Sequence, residues 1–253
     1  MPTARAGPCS TRTVGAGSYR EHPPLTGVYY SYWSGTTDLG AGFHARPGRL
    51  ILTWPTNDDL TCIYVAWPRE EFRQVRKDVD NSFHAALGLV PELREAVASG
   101  HRKQRFVGTD DLPNLYRTSA GPGWALAGDA GHHKDPSTGM GMSDAFLAAD
   151  LLAEAIHDGL VGHRPMDDAV ADYQAQRDVL TTNGFELTLS TARLAPLSTK
   201  LEAFYRAAAH RPEQIRVIFG VLGGSIPVGH INWGHTTSGP VERLPRPQRP
   251  RRW

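Results

Sequence analysis

The stretch WALAGDAGHHKDPSTGMGMSDAF, residues 124–146, constrains this chain more than any other. WALA at 124–127 is apolar but too short for a helix, so it reads as a strand, and it runs directly into a Gly-rich loop and then into helical text. A strand, a Gly-rich loop and a helix in that order place a ligand at the strand end. Gly128 allows the chain to turn sharply, and Asp129 offers a carboxylate that accepts hydrogen bonds from a polyol. Pro136 stiffens the loop. Gly139 and Gly141 remove side chains where backbone N–H groups must approach a planar ligand, at the positive end of the helix that follows. That helix is predicted from about 141–143 to His157, with Ser143 as N-cap and Phe146, Ala149, Leu152, Ala153 and Ile156 as the buried stripe.

Upstream the text is different. VYYSYW at 28–33, RLILTW at 49–54 and TCIYVAW at 61–67 are β-branched and aromatic runs bounded by turn residues, and predict three antiparallel strands, the last two joined through PTNDD. Alternation puts Val28, Tyr30 and Tyr32 on one face and Tyr29, Ser31 and Trp33 on the other, so the sheet is expected to be covered on both sides. After Pro68 the period becomes helical, with Phe72, Val75, Phe83, Leu87, Leu93 and Val97 spaced for helix faces. A further strand is predicted near 105–107, a loop over DDLPNLYR, and packing helices near 167–190 and 198–210. The expected organisation is a coil at 1–25, a sheet region with helices at 26–118, a ligand-loop region with helices at 119–231, and a Pro/Arg-rich disordered tail at 232–253. The 26 Gly and 19 Pro favour this mixed, loop-rich α+β class over a helical bundle.

Composition excludes several partners. The 27 Lys plus Arg nearly balance 26 Asp plus Glu, so no whole-chain field draws the protein to nucleic acid or to a membrane surface; a small organic molecule is the expected partner. The arginines between 243 and 252 are expected to be a solvated tail. Cys9 and Cys62 are too few for a disulfide framework or a four-ligand zinc site and are expected to be free thiols in a reducing cytoplasm. No stretch approaches the roughly 18 apolar residues of a membrane helix. His132, His133 and Asp135 lack the companions a metal centre needs, so no metal is expected.

GDAGHHKDPSTGMGMSDAF resembles the second flavin-binding motif of FAD-dependent, aromatic-hydroxylase-like oxidoreductases, in which Gly-Asp-Ala, a His and Pro-x-x-Gly-x-Gly precede a helix. The match falls on Gly128, Asp129, Ala130, His132, Pro136, Gly139 and Gly141. Together with LPNLYR, GPGWALAGDAG, HKDP and FGVLGGSIPV, the resemblance extends over about residues 11–231. It implies an FAD cofactor, with Asp129 on the ribityl hydroxyls, Pro136 beside the reactive edge of the ring and the backbone of Gly139, Met140, Gly141 and Met142 at its pyrimidine side. It also implies a substrate sheet whose aromatic faces line a pocket, NAD(P)H as reductant, and monooxygenase-like chemistry on a small organic substrate. The cofactor carries that chemistry, so no side chain is assigned as catalytic.

The pattern also departs from the family. The family opens on a strand, GxGxxG and a helix for the ADP half of FAD; the nearest string here, VGAGSYR, has Gly15 and Gly17 but Arg20 at the third glycine. The chain is therefore expected to correspond to the C-terminal two-thirds of such a protein, with an incomplete Rossmann half. Ala148 stands where the family commonly has Asp, and Ser143 at its usual Asn or Ser position. A binding module that holds no FAD remains the alternative, with a metal-dependent hydrolase more remote.

Overall fold

The structure is a computed structural model, and it describes residues 14–36 and 39–228. The predicted tail and the first 13 residues, with Cys9, lie outside the described residues. The architecture is α+β, in two compact units: residues 20–115 with 188–196, and residues 14–19, 116–187 and 197–228.

The strands in chain order are β1 (Ser18–His22), β2 (Thr26–Ser34), β3 (Gly42–Arg46), β4 (Arg49–Pro55), β5 (Leu60–Pro68), β6 (His101–Arg102), β7 (Val107–Thr109), β8 (Asn114–Arg117), β9 (Ala120–Gly121), β10 (Trp124–Ala125) and β11 (His132–His133). The helices are α1 (Arg69–Val75), α2 (Val79–Leu87), α3 (Pro91–Ser99), α4 (Gly141–Leu160), α5 (Met166–Ala192), α6 (Thr199–Ala208) and α7 (Pro212–Leu222).

The first unit is built on a six-stranded sheet of order β3-β4-β5-β2-β6, with β7 also paired to β2. Its pairings are antiparallel throughout. The three strands predicted from the aromatic runs are β2, β4 and β5. The hairpin between β4 and β5 turns through Asp58 and Asp59, both at positive φ, a conformation that short polar side chains tolerate. Register places Phe43, Leu52, Tyr64 and Tyr30 in one row across four strands, on the face that carries Val28. The opposite face, with Tyr29, Trp33, Ile63, Val65 and Trp67, lies under α1 to α3 and packs on Phe72, Val75, Phe83, Leu87, Leu93 and Val97. All six of these helix residues are those that the helical spacing selected. Tyr29 stacks on Phe72 at 5.0 Å, so this face is core and not a pocket wall. Leu112 and Leu194 pack on the Val28 face, where Leu50, Tyr64 and Ala66 are buried and Tyr30 and Tyr32 stay half-exposed.

In the second unit α5 supplies a stripe at spacings of four: Ala169, Tyr173, Arg177, Thr181 and Phe185 are all buried. Against it α4 lays Ala148 and Ala155, with Leu151, Leu152 and Ala127 packed around them. This corrects the predicted stripe of α4. Phe146 is 76% exposed, Ala149, Ala153 and Ile156 also face outward, and of the five only Leu152 is half-buried. The helix is apolar on two sides, and alanine permits the closer approach to a neighbouring backbone.

Other sequence expectations are corrected too. Residues 18–22 form β1 where coil was expected, and NLYR is strand β8 where a loop was expected. The strand near 105–107 begins at Val107. Edge strand β3 and helix α7 were not predicted. WALA is extended, but only Trp124 and Ala125 pair, in a short hairpin with β9. Ser143 is not an N-cap: Met140 precedes α4, and Ser143 Oγ donates to the Gly223 carbonyl at 2.9 Å.

Candidate functional site

The loop between β10 and α4 is built by a succession of tight turns. Gly128 sits at φ +57° and opens a 3₁₀ turn, Gly128–Ala130, that closes when Gly131 N–H donates to the Gly128 carbonyl at 3.0 Å. A side chain there would be strained by φ alone and would press on Ala145 at 3.3 Å. The chain then passes through β11, where the His132 ring stacks on Tyr116 at 4.2 Å. A second 3₁₀ turn, Pro136–Thr138, starts with the Asp135 carboxylate accepting from Ser137 N–H at 2.9 Å. It ends on Gly139 in the left-handed region, φ +69°, after which α4 begins.

The loop and the first two turns of α4 enclose a cleft lined by Gly128, Asp129, His132, Lys134, Gly141, Asp144, Ala145, Ala148 and Arg177. Of the residues assigned from sequence, Gly128, Asp129 and Gly141 meet here. Pro136 and Gly139 are exposed outside this lining, and Met142 is 75% exposed. Met140 is buried, its terminal methyl close to Gly184 of α5, so its side chain belongs to the core.

Three charged residues of the cleft wall were not assigned from sequence. Lys134 is 8% exposed, and its ammonium forms an ion pair with Asp144 Oδ2. His132 Nδ1 lies 3.8 Å from that same oxygen. Burial pulls the Lys134 pKa down from 10.5 to about 8, with the Asp129 carboxylate acting in the opposite direction. Arg177 is 1% exposed; its guanidinium donates to Ser119 Oγ, to the Gly131 carbonyl at 3.2 Å, to Tyr19 Oη at 3.0 Å and to Asp178 Oδ1 at 2.6 Å. It thereby ties the loop to α5. Lys134 stood in the HKDP string without a role, while Arg177 lies in a polar helical segment with no signal to set it apart. Among the described residues no group of three or more His, Cys, Asp or Glu is placed to hold a metal ion.

The donor set fits a flavin. A Cβ added at Gly139 or Gly141 would meet nothing within 4 Å, leaving backbone open to a flat ligand at the N-terminus of a 20-residue helix. Asp129 supplies an acceptor for a polyol, and Lys134 places a cation in the wall.

Comparison with known proteins agrees with this geometry at the level of fold. No family model matches the chain. A tryptophan 2-halogenase of Chondromyces crocatus is 27% identical over 154 residues, which is 57% of this chain and 30% of that protein. Among solved structures, the myxobacterial chondrochloren halogenase CndH, described as an FAD-dependent halogenase, superposes with a TM-score of 0.62 at 17% identity, over 83% of this chain and 54% of that one. PqsL of Pseudomonas aeruginosa, described as a probable FAD-dependent monooxygenase, does so with a TM-score of 0.56 at 22% identity, over 83% and 55%. PqsL has also been solved in complex with 2-aminobenzoylacetate. The chain therefore has the fold of the FAD-dependent halogenases and monooxygenases. It spans 30% of the length of the curated relative and about half that of the solved structures.

Proposed function

We propose that this chain is the substrate-sheet and ring-side portion of an FAD-dependent oxidoreductase of the halogenase and monooxygenase type, working in the cytoplasm on a small organic substrate with NAD(P)H as reductant. The observation that carries this reading is the cleft in which Gly128, Asp129 and Gly141 converge at the start of α4, within a fold shared with proteins named for their FAD dependence. When bound, FAD supplies the redox chemistry, taking electrons from a nicotinamide and delivering them to oxygen.

The chain's own residues bind and orient. Asp129 would accept hydrogen bonds from the ribityl hydroxyls, and the backbone from Gly139 to Met142, with Pro136, would hold the ring. Gly139 and Gly141 keep that approach free of side chains. Arg177 holds the loop in register with α5 through the Gly131 carbonyl, so that the site is arranged before any ligand arrives. Within the sheet unit, Tyr30, Phe43 and Leu52 stay half-exposed beside the buried Tyr64, the kind of apolar, aromatic face a small organic substrate requires.

The test is direct. The full chain is purified and titrated with FAD while the visible spectrum and the quenching of flavin fluorescence are followed. Saturable binding at micromolar FAD is expected; a chain that binds none is a non-flavin module, and the proposal falls.

A further inference from the structure

We propose that Lys134 is a further ligand of the flavin: its ammonium, held ready by Asp144, meets the negative charge that the isoalloxazine acquires on reduction. The inference rests on the flavin reading above but is carried by a different observation. An ammonium has three N–H donors. Lys134 Nζ is buried in the cleft wall, and its ion-pair contact among the described residues is a single Asp144 oxygen, with no hydrogen bond formed by either atom beyond that ion pair. A cation so placed has donor capacity unused, and withdrawing it from water is unfavourable unless a second acceptor comes to it.

The surroundings favour an anion from the cleft side. Asp144 lies in the first turn of α4, where the helix dipole stabilises its carboxylate independently of the lysine, so Lys134 can shift from Asp144 toward a ligand without leaving a bare charge behind. The other charged or titratable groups facing Lys134 are Asp129 from the 3₁₀ turn, His132 from its own loop and Arg177 from α5. Arg177 is already engaged with Asp178 and four other oxygens, which leaves Lys134 as the cation with donors to offer. With its pKa near 8, the ammonium is retained at neutral pH. In the step concerned, FAD takes up two electrons and one proton from a nicotinamide hydride donor or from dithionite plus water, and one negative charge is left on the ring. Lys134 moves no proton in this step. It balances that charge.

A purely structural pin between loop and helix predicts loss of stability and nothing else. The two roles are separated by measuring FAD affinity in the oxidised form and, anaerobically with dithionite, in the reduced form, for the unaltered chain, K134M, K134R and D144N. Lysine as ligand requires K134M to lower the preference for reduced over oxidised FAD by about tenfold, with K134R restoring most of it, since a charge pair in a half-buried site is of that order. D144N, which frees the ammonium, is expected to keep or raise the preference. If K134M binds both forms with the unaltered ratio, Lys134 is a pin and the inference is overturned. If the unaltered chain binds neither form, the flavin reading and this inference fall together. Should K134M not fold, acetylation of Lys134 in the unaltered chain by acetic anhydride, read by mass spectrometry, decides: reduced FAD must slow it about fivefold or more relative to oxidised FAD. Equal rates overturn the inference.

Discussion

Lys134 and Asp129 face the same cleft with opposite charges, and each leads to a measurement that needs only this chain. Burial lowers Lys134 from 10.5 to about 8, so between those pH values the unfolded chain holds a proton that the folded chain has released. Stability therefore rises with pH across that window, while below pH 8 both states are protonated and the full penalty is present. The gain is about 3 kcal/mol and should vanish in K134M, as urea unfolding at pH 7.5 and pH 10 will show. Cys62 acts in the opposite sense, because burial raises its thiol from 9.0 to about 12 and the unfolded chain loses that proton first. Its contribution is common to both proteins and cancels in the comparison. For Asp129, replacement by Ala is expected to weaken FAD binding by roughly 1.5 to 3 kcal/mol, the range for hydrogen bonds to a charged group. Fluorescence titration of D129A measures it, and unchanged affinity would remove Asp129 from the site.

Among the elements, β2 and α1 show how far a period carries. Alternation placed Tyr29 and Trp33 on one face, and helical spacing selected Phe72 and Val75; the structure packs these together. What neither pattern announces is how closely they meet. A Cβ at Gly27 would lie 2.2 Å from Phe72 Cγ and 2.7 Å from its Cβ, and Phe72 is fully buried, so Gly27 leaves the room the ring occupies. G27A is expected to cost about 1 to 3 kcal/mol by overpacking, read from the urea midpoint, and less in an F72A background where the ring is absent. Helix α4 is the opposite case. Its sequence carries apolar residues on two sides, and a rule that assigns the bulkier stripe to the interior chooses Phe146 and Ile156, whereas contact with α5 and Ala127 selects the alanine side.

For the whole molecule, a ligand that binds only the folded chain stabilises it by mass action. FAD at a hundred times its dissociation constant is expected to add about 2.7 kcal/mol, seen as a rise in Tm followed by circular dichroism at increasing FAD. A Tm independent of FAD, where binding was found by titration, would mean that the unfolded chain binds it equally. The fold and the loop were largely legible in the sequence, because both rest on local rules. Aromatic alternation bounded by turn residues predicts β2, β4 and β5, and a strand followed by Gly-Asp and Pro-x-x-Gly-x-Gly predicts turns that only glycine enters freely, as Gly128 and Gly139 do at positive φ. The sequence by itself thus determined three central strands of the sheet, the faces of the helices that cover it and the turns of the Gly-rich loop. Only the tertiary structure decided which charges line the cleft. Arg177 reaches Gly131 across 46 residues, and Lys134 reaches Asp144 only because the loop folds back onto the start of α4. Partners of that kind follow from packing in three dimensions, and a one-dimensional period contains no term for them.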